Sequence, residues 1–231
     1  MRKVTTTLLA LTFMLAGCTD RKADSKNAPL QVEKNPEPAA NEAATKPVEP
    51  QQPADGNFTP ARTPDVVFVP TPQEVVDKML EIAQVKKDDL LYDLGCGDGR
   101  IVVTAAARYG CRAVGYDIDP RRIKESLLNV EENNVGRLVK IEQKDIFTLD
   151  LSDASVITLY LLPRLNVRLI PQLEKLKPGS RIVSHDFSMK GVKPDKVVRL
   201  TSGDDQRKHT IYFWTTPLTR TTEKPATGAN R

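Results

Sequence analysis

The sequence predicts an α/β domain, doubly wound around a mostly parallel seven-stranded sheet with an antiparallel C-terminal hairpin. Three observations predict it. Short apolar strand patterns alternate with amphipathic helical ones from Thr71 to Ser184. The first strand runs into a glycine turn that opens a helix, Gly95-Cys96-Gly97-Asp98-Gly99. The last two strand patterns are parted only by a turn, Ser202-Gly203-Asp204-Asp205. Alternation places parallel strands between two layers of helices, and a terminal hairpin adds an antiparallel edge.

Thr71-Pro72-Gln73-Glu74 opens the first helix by two rules, a capping box from Thr71 to Glu74 and a proline at the first helical position. Val75, Val76, Met79, Leu80 and Ala83 recur at helical spacing and carry it to about Gln84. The first strand is Leu90 to Leu94. After the glycine turn a helix runs from Arg100 to Tyr109 and closes at Gly110. The second strand is Arg112 to Asp117. Asp119 and Pro120 then supply cap and first position to a helix reaching about Asn133, with Ile123, Leu127 and Val130 as its apolar face. A third strand is read at Leu138 to Glu142 and a fourth at Ala154 to Leu161. Pro163 and Pro171 break the next stretch into a turn and a short helix ending near Leu176. Lys177-Pro178-Gly179 turns the chain into a fifth strand, Arg181 to Ser184, and the hairpin strands are Lys196 to Leu200 and His209 to Trp214.

The domain so defined is residues 61 to 217. Ten of the 17 prolines fall between Thr19 and Pro72 in a stretch poor in large apolar residues, so residues 18 to 60 are read as a disordered linker. Residues 1 to 17 differ: Arg2 and Lys3 precede an apolar run of 13, Val4 to Ala16, too short to span a bilayer and suited to a signal peptide. The run ends in Leu15-Ala16-Gly17-Cys18, which resembles the lipobox of bacterial lipoproteins. That resemblance implies cleavage before Cys18, lipidation of its thiol and a periplasm-facing anchor in the cell envelope. The outer membrane is favoured because Thr19, and not Asp, follows Cys18. Thr, Lys, Gly and Pro from Thr215 onward mark an unstructured end, with residues 218 to 231 as the tail. Cys96 and Cys111 are the only other cysteines, too few for a disulfide framework, and a single bridge between them stays open. Residues 61 to 217 carry 24 Lys and Arg against 22 Asp and Glu, a net of +2 without a basic run, so nucleic acid is not an indicated partner. No metal is expected.

Open parallel sheets bind ligands beyond the carboxyl ends of their strands. Gly95-x-Gly97-x-Gly99 follows the first strand but lacks the third glycine of a dinucleotide fingerprint, because Arg100 stands there. Asp93, two residues before Gly95, would repel a pyrophosphate yet accept a charge-assisted hydrogen bond from the ammonium of an amino-acid-bearing cofactor. That favours S-adenosylmethionine over NAD. Asp117, 22 residues beyond Gly95, ends the second strand where an acid takes ribose hydroxyls, and Ile118 beside it covers one face of an adenine. Asp145 and Ile146, after the third strand, are placed to accept from the adenine amino group and to pack on its ring. Asp98 and Asp119 read as helix caps, and His185 as a packing or hydrogen-bonding residue beside Asp186.

Tyr92-Asp93-Leu94-Gly95-Cys96-Gly97-Asp98-Gly99-Arg100 resembles motif I of class I methyltransferases. Gly115-Tyr116-Asp117-Ile118-Asp119-Pro120 resembles the motif after it, and Leu176-Lys177-Pro178-Gly179-Ser180 the turn before their fifth strand. A narrower similarity runs through Val69-Pro70-Thr71-Pro72, Gly97-Asp98-Gly99-Arg100-Ile101-Val102 and Tyr160-Leu161-Leu162-Pro163. These stretches are similar to the protein lysine methyltransferases that modify the c-subunit of mitochondrial ATP synthase and the adenine nucleotide translocase. The resemblance implies a Rossmann-like methyltransferase fold, S-adenosylmethionine as cofactor and a protein lysine as acceptor; Tyr160, by its place at the mouth of the fourth strand, is the candidate to face the transferred methyl, with an aromatic plug at the strand end as the alternative. It departs from the family in Gly95-Cys96-Gly97, where a serine is usual between the glycines, and in the lipoprotein leader. Enzymes acting on nucleobase amines carry Asn or Asp before Pro-Pro-Tyr where this chain has Tyr160-Leu161-Leu162-Pro163. Two alternatives stand beside this reading: a lipid-tethered module that binds without catalysis, and an NAD-linked oxidoreductase, which Asp93 and Arg100 disfavour.

Overall fold

A computed structural model describes residues 68 to 221. The predicted signal peptide, Cys18, the linker and the tail from 222 lie outside the described residues. In order the elements are α1 (Gln73–Ile82), β1 (Leu90–Leu94), α2 (Arg100–Tyr109), β2 (Arg112–Asp117), α3 (Pro120–Glu132), β3 (Val139–Gln143), a single 3-10 turn (Ile146–Thr148), β4 (Val156–Leu159), α4 (Pro163–Leu173), β5 (Arg181–His185), β6 (Lys196–Thr201) and β7 (Lys208–Thr215).

The seven strands form one sheet in the order β3-β2-β1-β4-β5-β7-β6. The first five are parallel, and β7 inserts antiparallel between β5 and β6. After β3 reaches one edge, the chain crosses back to lay β4 beside β1. The reversal lies between β1 and β4, so ligands are expected beyond their carboxyl ends. Side chains alternate across the sheet and feed two cores. Leu91, Val156, Val183 and Ile211 face α1 and α2, where Val76, Leu80, Val102 and Ala106 are buried. Leu94, Ile157, Ile182 and Trp214 face the other way, onto Leu165, Leu169 and Leu173 of α4. Each fully buried Leu or Ile contributes about 1.5–3 kcal/mol over an exposed one. Cys96 and Cys111 are both buried free thiols.

Several local expectations are corrected. Thr71 does not cap α1; its hydroxyl bonds His185 Nδ1 at 3.2 Å, and Pro72 takes the cap position. The hairpin supplies the missing partners instead: Glu74 N–H donates to Asp204 Oδ2 at 3.4 Å, and the Glu74 carboxylate accepts from Gly203 N–H at 2.7 Å. Pro163 starts α4 rather than interrupting it, and Pro171 sits in its last turn, so the expected turn and short helix are one 11-residue helix. β4 ends at Leu159, which leaves Tyr160 and Leu161 just beyond the strand. Thr215 to Thr221 are ordered: Thr216–Pro217 is a cis peptide, Val192 bridges Arg220, Arg220 pairs with Glu174 at 2.7 Å, and Thr221 N–H donates to Gly191 O at 3.0 Å.

Candidate active site

Beyond the carboxyl ends of β1, β2 and β4 lies a cavity of about 280 Å³. Its floor is the glycine turn. Gly95, Gly97 and Gly99 have φ of +86°, +57° and +77°, values that side chains disfavour, and they bend β1 into α2 within five residues. At Gly99 a Cβ would lie 2.8 Å from Ser126 Cβ, so this glycine also lets α3 pack against the turn.

Asp93, Gly95, Asp117, Ile118, Asp145, Ile146 and Tyr160 all line the cavity, so the residues the sequence singles out are brought together. Gly97 is the exception. A Cβ there would stand 2.1 Å from the Phe68 ring, which covers it and takes its place in the wall. The Arg122 guanidinium stacks over that ring, 4.6 Å from its centroid. The sequence also missed the segment from Phe68 to Thr71, which forms the front wall with Phe187 and Leu162. Arg100 holds that segment in place by donating to Thr71 O at 2.8 Å while it pairs with Asp98.

The acids differ in their surroundings. Asp93 is 2 % exposed; its Oδ1 accepts from Thr158 Oγ1 at 2.6 Å, and its Oδ2 is buried without a partner. Burial pushes the carboxyl up to about 7 against the Thr158 hydrogen bond, and the charges of Asp117 and Asp98 add to the rise. Asp117 accepts from Gly97 N–H and Asp119 N–H, both at 2.9 Å, so it braces the turn as well as facing the cavity. Burial raises it too, despite those bonds. Asp145 caps the 3-10 turn through Phe147 N–H at 3.0 Å. Asp119 caps α3 through Arg121 N–H at 2.9 Å, as the sequence reading has it, whereas the cap position of α2 falls to Gly99, and the Asp98 carboxylate instead pairs with the Arg100 side chain and accepts from Arg100 N–H at 3.2 Å.

Tyr160 closes the far wall. Its ring lies against His185, centroids 3.9 Å apart, and is stacked with Phe187 at 6.1 Å; burial raises its phenol. His185 is fully buried and does not reach the cavity. Burial lowers its imidazole to about 4. It meets His209 at 2.8 Å, a contact that the 24-residue separation hides from any local motif.

An unpartnered carboxylate oxygen in a cavity wall calls for a cation, and acids ending β1 and β2 on either side of a glycine turn suit an amino-acid-bearing adenosine group. The cavity fits that group, and the fold and site together define the class of S-adenosylmethionine-dependent methyltransferases. Residues 93–196 match the ANTKMT methyltransferase domain. The chain is 47% identical over 153 residues to a protein-lysine N-methyltransferase of Saccharolobus islandicus (strain REY15A), spanning 94% of that protein and 65% of this chain, and it belongs to the same methyltransferase family. An RNA methyltransferase from Salinibacter ruber, solved in complex with S-adenosyl-L-homocysteine, is 48% identical; the match has a TM-score of 0.62 and covers 98% of that chain and 67% of this one. The adenine nucleotide translocase lysine N-methyltransferase of Mus musculus is 30% identical over 135 residues, 58% of this chain and 58% of that protein. S-adenosylmethionine is the cofactor, and the oxidoreductase alternative falls.

Proposed function

We propose that this enzyme transfers a methyl group to the side-chain amine of a protein lysine. The observation that carries the proposal is the 47% identity to a protein-lysine N-methyltransferase along 94% of that relative. The chemistry of the wall agrees. Tyr160, Leu161, Leu162 and Phe187 make an apolar rim suited to the methylene stem of lysine.

Each wall residue then has a role. Asp93 Oδ2 accepts from the cofactor's ammonium, and Asp117 from its ribose hydroxyls. Ile118 and Ile146 cover the adenine, Asp145 accepts from its amino group, and Gly95 lets backbone approach the cofactor closely. When bound, S-adenosylmethionine supplies an electrophilic methyl on a sulfonium. Tyr160, in the cavity wall, would border the transferred methyl and orient the incoming amine. Holding nucleophile and methyl in line can supply roughly 7–11 kcal/mol of the barrier. The amine must arrive uncharged, and desolvation at an apolar rim lowers a lysine pKa from about 10.4. No acid–base pair is needed for that step.

The test incubates the purified protein with tritium-labelled S-adenosylmethionine and cell-envelope extract. Label is expected in protein, resistant to ribonuclease and sensitive to protease, with methyllysine recovered on acid hydrolysis. Label removed by ribonuclease would overturn the lysine assignment in favour of RNA, the substrate class of the Salinibacter ruber relative.

A further inference from the structure

The sequence holds two histidines, and the fold brings both to one point behind Tyr160. His185 Nε2 and His209 Nδ1 are 2.8 Å apart, and Asp186 Oδ2 stands 3.3 Å from the first and 3.5 Å from the second. Two ligand atoms at 2.0–2.1 Å from a tetrahedral zinc ion are separated by about 3.4 Å. The two contacts of Asp186 have that spacing, and the nitrogens, now at hydrogen-bond distance, would open by about 0.6 Å to take an ion between them.

The outer partners fit the same reading. His185 Nδ1 is held by Thr71 Oγ1 at 3.2 Å, His209 Nε2 by the Asp205 carboxylate at 3.1 Å, and Asp186 Oδ1 by Thr210 N–H at 2.8 Å. Metal-binding imidazoles are oriented in this way, the second nitrogen donating to an oxygen so that the first presents its lone pair. Asp205 only accepts, so His209 turns a bare Nδ1 toward His185. One shared proton would satisfy the two nitrogens but leave the second oxygen of Asp186, Oδ2, converging on them, while Oδ1 is taken by Thr210 N–H. Asp186 is also held at φ +56°, a conformation that costs a non-glycine residue energy and gathers at functional sites.

We propose that His185, Asp186 and His209 form a binding site for a divalent transition-metal ion, zinc by its ligand chemistry. Asp186, 29% exposed, leaves the fourth position open to water. The ion ties the end of β5 to β7 and fixes the imidazole on which Tyr160 rests, so it sets the wall of the acceptor site from outside the cavity. The proposal stands whichever acceptor is methylated.

The test uses the untagged full chain, stripped with chelator and titrated with Zn²⁺ alone against a chromophoric competitor, while a long-range ¹H–¹⁵N spectrum follows the two imidazoles. One ion per chain is expected, with His185 Nε2 and His209 Nδ1 shifting together. His209→Ala should weaken binding at least tenfold while circular dichroism stays native, and Asp186→Asn provides the same reading if the first variant fails to fold. Stripped protein that is folded yet takes up no ion, or binding that leaves both imidazole signals in place, would overturn the site.

Discussion

At the scale of single residues, Asp93 carries the sharpest tension between stability and function. Its carboxyl is raised to about 7, so the folded state keeps a proton that the unfolded chain releases near 3.8. Stability from this residue therefore declines as pH rises between those values. Asp93→Asn keeps an acceptor for Thr158 and removes the charge. It should stabilise the ligand-free protein near and above neutral pH, because no buried charge then has to form, with the gain growing from pH 4 to 7. The same variant should lose cofactor binding; thermal melts across pH and calorimetry check both halves, and an unchanged melt at pH 8 would refute the first. Asp117→Ala should weaken cofactor affinity at least tenfold, since charge-assisted hydrogen bonds contribute about 1.5–3 kcal/mol each. Asp93, Asp117 and Asp145 were legible in the sequence because each lies near or just beyond the end of a strand. Phe68 was not, because it reaches Gly97 across the fold. That contact also means a side chain at Gly97 would strike Phe68 before any cofactor.

Among the elements, the end of the sheet opposite the cavity is clamped by one ion pair. Asp89 precedes β1 and accepts from Lys86 N–H at 2.7 Å, from Ser155 Oγ at 2.7 Å and from Arg181 of β5, which also donates to Ala83 O and Gln84 O after α1. Burial alone would raise Asp89, but the bonds from Ser155, Arg181 and Lys86 hold it below the usual carboxylate range. Its contribution is thus present above about pH 4 and lost as pH falls through its lowered value. Arg181→Met should cost roughly 3 kcal/mol at pH 7 by leaving a buried charge half-paired, and the deficit should shrink at pH 3. Urea unfolding at the two values measures it; an equal deficit at both would refute the assignment. Element identity and order were legible from periodicity, but several boundaries were misread, the start of α1 and the course of α4 among them. The cap of α1 comes from Asp204 in the distant hairpin, and Pro171 is tolerated because it falls where α4 is about to end.

For the whole molecule, the sheet order gathers the candidate site residues at the carboxyl ends of its central strands, while the lipid anchor expected from the sequence falls on residues outside the described ones. Among the described residues no helix is long and apolar enough to cross a membrane. The basic start, the short apolar run and Leu15-Ala16-Gly17-Cys18 predict that the mature chain begins at lipidated Cys18. Mass spectrometry of the native protein should find a diacylated or triacylated N-terminal cysteine, and Cys18→Ser should leave an unprocessed precursor. An intact Met1 in the cytosolic fraction would refute it. Sequence made this prediction from local composition alone, whereas the meeting of His185 with His209 needed the antiparallel insertion of β7 beside β5.

The orphaned oxygen of Asp93 has a calorimetric signature. A cationic ammonium settling against it drives off the proton that the empty site retains, so cofactor binding becomes a proton-releasing reaction. With a carboxyl poised at about 7, close to half a proton leaves per molecule bound at pH 7. The measured heat must then include the heat with which the buffer takes that proton up. Titrations in phosphate and in Tris at pH 7 should differ in enthalpy while agreeing in affinity, and the proton release from Asp93 should shrink as pH rises above 7, where the carboxyl has already given its proton to solvent.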